Sequence, residues 1–249
     1  MLGERLRSRV SWRRPGLLLL PMLLALVGCQ AVVTSPITSQ VRLIAASPDA
    51  PGLDLYLNDR VLAYDLGFGS ITSYIAVNAG THTVAANTVG TKQAVIATKT
   101  TFVNSSQYTV LLGDVTANLQ AMVLKDQTQP APTGQIALRC IDRATKMGAL
   151  DIYLVPVGQK VTAVMPLLTD LTIGSAPSYL NVPMGTYTLV VVPTGTVPTG
   201  ASGPTYVGAQ VTYAGGSATT MVLLDQQLAT TPGVQVITAT DYLSPGATK

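Results

Sequence analysis

The sequence predicts an all-β protein in which two tandem immunoglobulin-like or transthyretin-like β-sandwich domains follow a signal peptide. Three observations carry that expectation. Charged residues are only 11% of the chain and no Glu follows position 4, so the polar faces of amphipathic helices are missing while β-branched residues are plentiful. Apolar residues recur with period two between turn residues, the pattern of strands with one buried face. Four blocks of sequence also occur twice in the same order, which makes the exported part a duplication.

The chain opens with Arg5, Arg7, Arg9, Arg13 and Arg14, runs apolar over 17–27 with only Pro21 as a break, and then reaches Gly28 and Cys29. This is the layout of an export signal, and the run is too short for a bilayer core of about 30 Å, which takes roughly 20 helical residues. Leu26-Val27-Gly28-Cys29 resembles the lipobox of bacterial lipoproteins. The resemblance implies a signal peptide over 1–28, acylation of Cys29 and a membrane as partner through the lipid anchor. An ordinary cleaved signal or an uncleaved anchor is the alternative. Gln30 follows the cysteine where an Asp would hold a Gram-negative lipoprotein back, so the expected address is the cell envelope. That means the outer membrane if the organism has one, otherwise the outer face of the cytoplasmic membrane. Arg13-Arg14 departs from a twin-arginine signal at Pro15-Gly16, and residues 29–40 read as a lipidated tether.

The net charge of +3 is a property of the leader. Only 10 basic and 11 acidic residues follow Cys29, so no basic patch remains to neutralise phosphates and nucleic acid is excluded as a partner.

The duplication is read from residues. Leu53-Asp54-Leu55-Tyr56-Leu57 returns as Leu150-Asp151-Ile152-Tyr153-Leu154, and residues 69–84 match 174–189 without a gap. Val110-Leu111-Leu112 returns as Val222-Leu223-Leu224, and 120–126 corresponds to 235–241. The offset grows from 97 through 105 and 112 to 115, so the extra residues fall between blocks, where loops tolerate them. One such loop is the Gly/Pro-rich stretch 193–204. The expected first repeat is 41–127, the linker 128–135 with Pro130, Pro132 and Gly134, the second repeat 136–243 and the tail 244–249.

In the first copy, strands are expected near 41–47, 53–57, 71–77, 81–89, 94–102, 107–113 and 119–125. Ile71, Ser73, Ile75 and Val77 alternate with Thr72, Tyr74 and Ala76, and Asn78-Ala79-Gly80 turns the chain into a second alternating run. That pair reads as a hairpin.

Val41-Arg42-Leu43-Ile44-Ala45-Ala46-Ser47-Pro48-Asp49-Ala50-Pro51, with Leu53-Asp54-Leu55-Tyr56 behind it, resembles the opening signature of the bacterial and archaeal domain-of-unknown-function 4397 family. The hairpins at 77–83 and 182–188 fit the same family, and the resemblance extends over nearly all of 41–241. It implies exported or surface-attached proteins and brings no activity with it. Ala45 stands where the family commonly has a histidine. Cys140-Ile141-Asp142-Arg143 stands where the second copy would carry Ser-Pro-Asp-Ala-Pro.

The residues offer little for catalysis. His82 is the only histidine, so every His-dependent mechanism would run through it; its counterpart in the second copy is Tyr187, and both read as partly buried strand residues. Cys140 is the only thiol besides Cys29, which leaves no internal disulfide and reads as a small apolar core residue. One His and one thiol disfavour zinc, and Asp49, Asp54 and Asp59 lack the spacing of a calcium loop. No cofactor, no metal and no catalytic residue is therefore expected.

Asp54 and Asp151 interrupt apolar strands at the same place and read as acceptors for backbone N–H groups. With the only Trp, Trp12, in the leader, Tyr74 and Tyr179 are read either as outward platforms for a sugar or as strand tyrosines without function, and no ligand-binding residue is named from them.

The leading reading is a non-enzymatic envelope lipoprotein whose two modules act in display, adhesion or scaffolding. The rival is a module that binds envelope polysaccharide or peptide, as an accessory to an enzyme, with an envelope protein or glycan as partner. An enzyme built on carboxylates such as Asp54 is a third reading.

Overall fold

The computed structural model describes residues 37–196, 198, 205–227, 233–243 and 245. The signal peptide, Cys29, most of the tether and most of the tail lie outside the described residues. Residues 37–249 form one compact unit.

The first repeat is built from β1 (Thr38–Ala46), β2 (Leu53–Leu57), β3 (Arg60–Leu66), β4 (Ile75–Asn78), β5 (Gly80–Thr88), β6 (Ala94–Phe102), β7 (Gln107–Gly113) and β8 (Gln120–Lys125). Its two sheets have the orders β4-β1-β7-β8 and β3-β2-β5-β6. The second repeat follows with β9 (Gln135–Arg143), β10 (Leu150–Pro156), β11 (Leu168–Leu171), β12 (Leu180–Pro183), β13 (Gly185–Pro193), β14 (Tyr206–Tyr213), β15 (Ala218–Asp225) and β16 (Val234–Tyr242). Its sheets repeat the first pair as β12-β9-β15-β16 and β11-β10-β13-β14. The chain is thus all-β and folds as two β-sandwiches. β1 lies beside β4 and runs parallel to β7, whereas an immunoglobulin sandwich groups its first, second, fifth and fourth strands. Of the two expected arrangements, the transthyretin-like one remains.

Alternation explains the layers. In β1, Val41, Leu43 and Ala45 enter the first core, while Ile44 and Ala46 face the other way into a separate cluster. In β7, Tyr108, Val110 and Leu112 enter the core and Leu111 joins the same separate cluster. β9 and β15 behave alike, with Ile136, Leu138, Cys140, Met221 and Leu223 in the second core and Ile141, Val222 and Leu224 turned away. A strand buried on both faces reads as an unbroken apolar run rather than an alternating one. The sheets β4-β1-β7-β8 and β12-β9-β15-β16 therefore pack back to back, and the protein is a stack of four sheets with the repeats joined at its middle.

Four expectations need correction. Each repeat has eight strands, because Arg60–Leu66 pairs with β2 as a bulged edge strand whose exposed residues show no alternation. The strand expected at 71–77 is confined to Ile75–Asn78. Before it, Ile71 makes only an isolated bridge to Ile44, and the Thr72 hydroxyl accepts the Leu43 N–H at 2.9 Å in place of a ladder bond. The match of Val110 to Val222 is one residue out of register. Arg42 pairs with Thr109 and Arg139 with Thr220, which sets Val110 against Met221, and a one-residue slip reverses every side chain. The same register places Asp142-Arg143 at Ala45-Ala46, so the segment opposite Ser47-Pro48-Asp49 is Ala144-Thr145-Lys146.

β1 also begins inside the expected tether, at Thr38. The linker is docked rather than free: Ala131 is buried and donates its N–H to the Gly216 carbonyl at 3.1 Å.

Candidate functional site

The densest polar chemistry lies between the two repeats. Arg42 on β1 donates through Nε to Thr109 Oγ1 at 2.8 Å, through Nη1 to the Thr240 carbonyl at 3.0 Å and through Nη2 to Asp241 Oδ1. Arg139 on β9 makes the same set in reverse: Nε to Thr220 Oγ1 at 3.1 Å, Nη1 to the Lys125 carbonyl at 3.2 Å and Nη2 to Asp126 Oδ1 at 2.5 Å. Each arginine thus reaches the aspartate of the other repeat, as a two-fold contact requires. The second oxygen of each carboxylate is taken from its own repeat. Asp126 Oδ2 accepts Tyr74 Oη at 2.7 Å and Thr109 Oγ1 at 2.6 Å; Asp241 Oδ2 accepts Tyr179 Oη at 2.8 Å and Thr220 Oγ1 at 2.7 Å. The guanidinium carbons stand 4.9 Å and 4.6 Å from the Tyr74 and Tyr179 ring centres, within cation–π range.

All four charged residues are at most 5% exposed. Burial pushes Asp241 above the ordinary carboxylate range, against the pull of Arg42. Burial, followed by the charges of Asp126 and Asp241 respectively, pushes the Tyr74 and Tyr179 phenols up as well. Tyr74 and Tyr179 are therefore struts of the seam and not outward sugar platforms. Their hydroxyls complete two buried ion pairs whose four carboxylate oxygens are all engaged within the protein.

The other singled-out residues are also engaged. Asp54 Oδ1 accepts the Asp65 N–H at 2.9 Å and Oδ2 the Gly90 N–H at 3.1 Å. Asp151 accepts the Asp170 N–H at 2.9 Å, the Thr194 hydroxyl at 2.9 Å and the Gly195 N–H at 3.2 Å. Asp65 and Asp170 sit at φ 48° and 55°, where the edge strand bulges and its N–H leaves the ladder. A carboxylate at the same place in each copy supplies the missing acceptor. Burial alone would raise the Asp151 carboxyl, but these donors hold it below its ordinary value. Neither aspartate is free for acid–base work.

His82 and Tyr187 also keep one role, closing a hairpin: His82 Nε2 lies 2.9 Å from the Asn78 carbonyl and Tyr187 Oη donates to the Pro183 carbonyl at 2.8 Å. Cys140 is wholly buried, which pushes its thiol up to about 12. Asp49 accepts the Thr116 N–H and hydroxyl at 2.8 and 3.0 Å, away from the bulge that holds Asp54. Among the described residues, no group of three or more His, Cys, Asp or Glu could hold a metal ion.

A surface concavity of the second repeat lies on the outer face of the β11-β10-β13-β14 sheet. Residues 157–167 replace the short turn 58–59 of the first repeat and fold over Tyr153, Val155, Val190 and Val192. They meet the enlarged loop after β13 in a cleft of about 280 Å³ lined by Asp151, Tyr153, Val161, Thr162, Val164 and Thr196. Sequence reasoning located the second insertion and missed the first.

A family model described as a domain of unknown function, DUF4397, matches residues 39–153. The DUF4397 family is thus shown for residues 39–153. The matched stretch takes in the whole first DUF4397 sandwich and continues through the linker to Tyr153 on β10. Among curated proteins no relative is found. Solved structures with some likeness include an alpha-glucan-binding streptococcal virulence factor, at 13% identity and TM-score 0.24 over 74% of this chain and 92% of that one. A family 41 carbohydrate-binding module from streptococcal virulence factors has 10% identity and TM-score 0.25, over 74% and 93%. The family 26 module CBMbc of Eubacterium rectale Amy13K, solved with maltoheptaose, has 10% identity and TM-score 0.25, over 84% and 99%. Scores at this level do not mark a shared arrangement of the whole chain.

Proposed function

We propose that this DUF4397 protein is a non-enzymatic envelope lipoprotein, held by lipid on Cys29, whose paired sandwiches act as one stiff unit for display, adhesion or scaffolding. The observation that carries this reading is the reciprocal Arg42–Asp241 and Arg139–Asp126 seam. It ties up the polar groups that chemistry would need and holds the second sandwich at a set attitude to the first. Labelling cells with a radioactive fatty acid tests the anchor. Label in the wild type that is lost in Cys29→Ala, with the unprocessed form accumulating under globomycin, is expected; equal labelling of both chains overturns it.

The cleft over Tyr153 favours a second reading, a binding module for envelope polysaccharide or peptide. It exists only where the two insertions of the second repeat meet, and an aromatic ring beside threonine hydroxyls suits a polar, ring-bearing ligand. A pull-down on cell-wall glycans with the chain starting at Gln30 tests it. Saturable retention that Tyr153→Ala abolishes supports binding in the cleft, and no retention leaves the scaffold reading alone.

A further inference from the structure

We propose that the face joining the repeats is a pairing surface keyed for unlike partners: a bulge on the second repeat seats in a hollow on the first, so the chain pairs its own two repeats and rejects like-with-like association between chains. The ionic seam alone would not impose this. Each repeat carries both an arginine and an aspartate of the exchange, so any two repeats, including two first repeats from different chains, satisfy its charges.

The key lies at the end of the central strands. Ala46 pairs with Gly113 across β1 and β7, and at the equivalent place Arg143 pairs with Leu224 across β9 and β15. The first repeat thus presents its two smallest options side by side and the second presents two large ones. Across the face, a Cβ added to Gly113 would stand 2.5 Å from Arg143 Nε and 3.0 Å from its Cζ. The guanidinium therefore fills the space that the glycine leaves. Ala46 and Leu224 lie in the same apolar cluster at the join. Large sits on small from both sides.

Two first repeats would set hollow against hollow and leave a void. Two second repeats would drive Arg143 against Leu224, overpacking the face and burying a charge with no recess to receive it. Arg143 is 2% exposed, and its Nε and Nη2 have no hydrogen-bond partner; the nearby charges are Asp114 and Asp142. A side chain held there without directional bonds is held by fit. The short docked linker then keeps the right partner at high effective concentration.

The test uses the two-repeat chain starting at Gln30, with thermal unfolding and light scattering. Wild type is expected to be a monomer. Gly113→Leu alone should lower Tm by roughly 5–10 °C, and Arg143→Ala in the other repeat should restore more than half of that loss by recreating the Ala46–Leu224 kind of pair. Arg143→Met, which keeps the bulk and drops the charge, should leave Tm unchanged or higher. If Gly113→Leu yields no folded protein, a folded double variant is the same result. Tolerance of Gly113→Leu, losses that simply add in the double variant, or a wild-type dimer would overturn the proposal.

Discussion

The two repeats agree in the ionic seam through which they meet, and they differ at one end of that face and across the outer sheets. Around the join, Arg42, Thr109, Tyr74 and Asp126 have one-for-one counterparts in Arg139, Thr220, Tyr179 and Asp241, down to which oxygen each donor uses. On the outer sheets the positions of Tyr56, Ala85 and Asn87 are only partly buried, whereas Tyr153, Val190 and Val192 are buried beneath an insertion. A face that must fit its own copy is constrained from both sides by the same contacts, so a change in one repeat needs an answer in the other. The outer face answers to nothing inside the molecule, and there the copies have diverged.

The largest expected effect comes from breaking the shared part. Asp126→Ala strips the acceptor from Arg139, Tyr74 and Thr109 together and should cost roughly 3–5 kcal/mol in urea unfolding, because a buried guanidinium is left unpaired. Asp241→Ala should cost nearly the same; losses that differ several-fold would break the two-fold comparison. Next comes a place where the copies differ. Asp142, at the position of Ala45, is fully buried with Oδ2 unpartnered, and burial pushes its carboxyl up to about 6. Its folded value lies above the unfolded one, so the folded chain holds the proton more tightly and stability is lost as pH rises through the window from about 4 to 6. Asp142→Asn should flatten that slope and raise stability at pH 7 by roughly 1–3 kcal/mol; an unchanged slope would mean that the carboxylate is solvated.

Smaller still, Tyr74→Phe and Tyr179→Phe each remove one hydrogen bond to a carboxylate and should each cost about 1.5–3 kcal/mol or somewhat less, since Thr109 and Thr220 still donate to the same oxygens. The smallest effect is expected at Cys140, which should resist thiol reagents in the native chain and react on unfolding, its thiolate being suppressed by burial. Rapid native labelling would contradict the second core.

Much of this was legible in the sequence, and the exceptions share a cause. The duplication was visible because Asp54 and Asp151, or Tyr74 and Tyr179, recur inside near-identical blocks. The role of Asp54 followed from an acid interrupting an apolar strand. The seam was missed although four of its members, Tyr74, Tyr179, Asp126 and Asp241, stand in those blocks: Arg42 and Arg139 lie in strands that look apolar on both faces, and alternation cannot say whether the second face meets solvent or another domain. The slip at Val110 has the same root, since a run buried on both sides carries no period to fix its register. β3 escaped because its bulges break the alternation, so that Leu62, Ala63 and Leu66 reach the first core without a period of two.

The central claim is that the two sandwiches form one body, locked through reciprocal arginine–aspartate pairs. Pulsed electron–electron resonance between spin labels at the exposed positions Thr101 and Gln210 measures it directly in the chain starting at Gln30. A single narrow distance that survives about 1 M salt, where exposed ion pairs are screened, and broadens in Arg139→Met is the expected result. A broad distribution in the wild-type chain would contradict it.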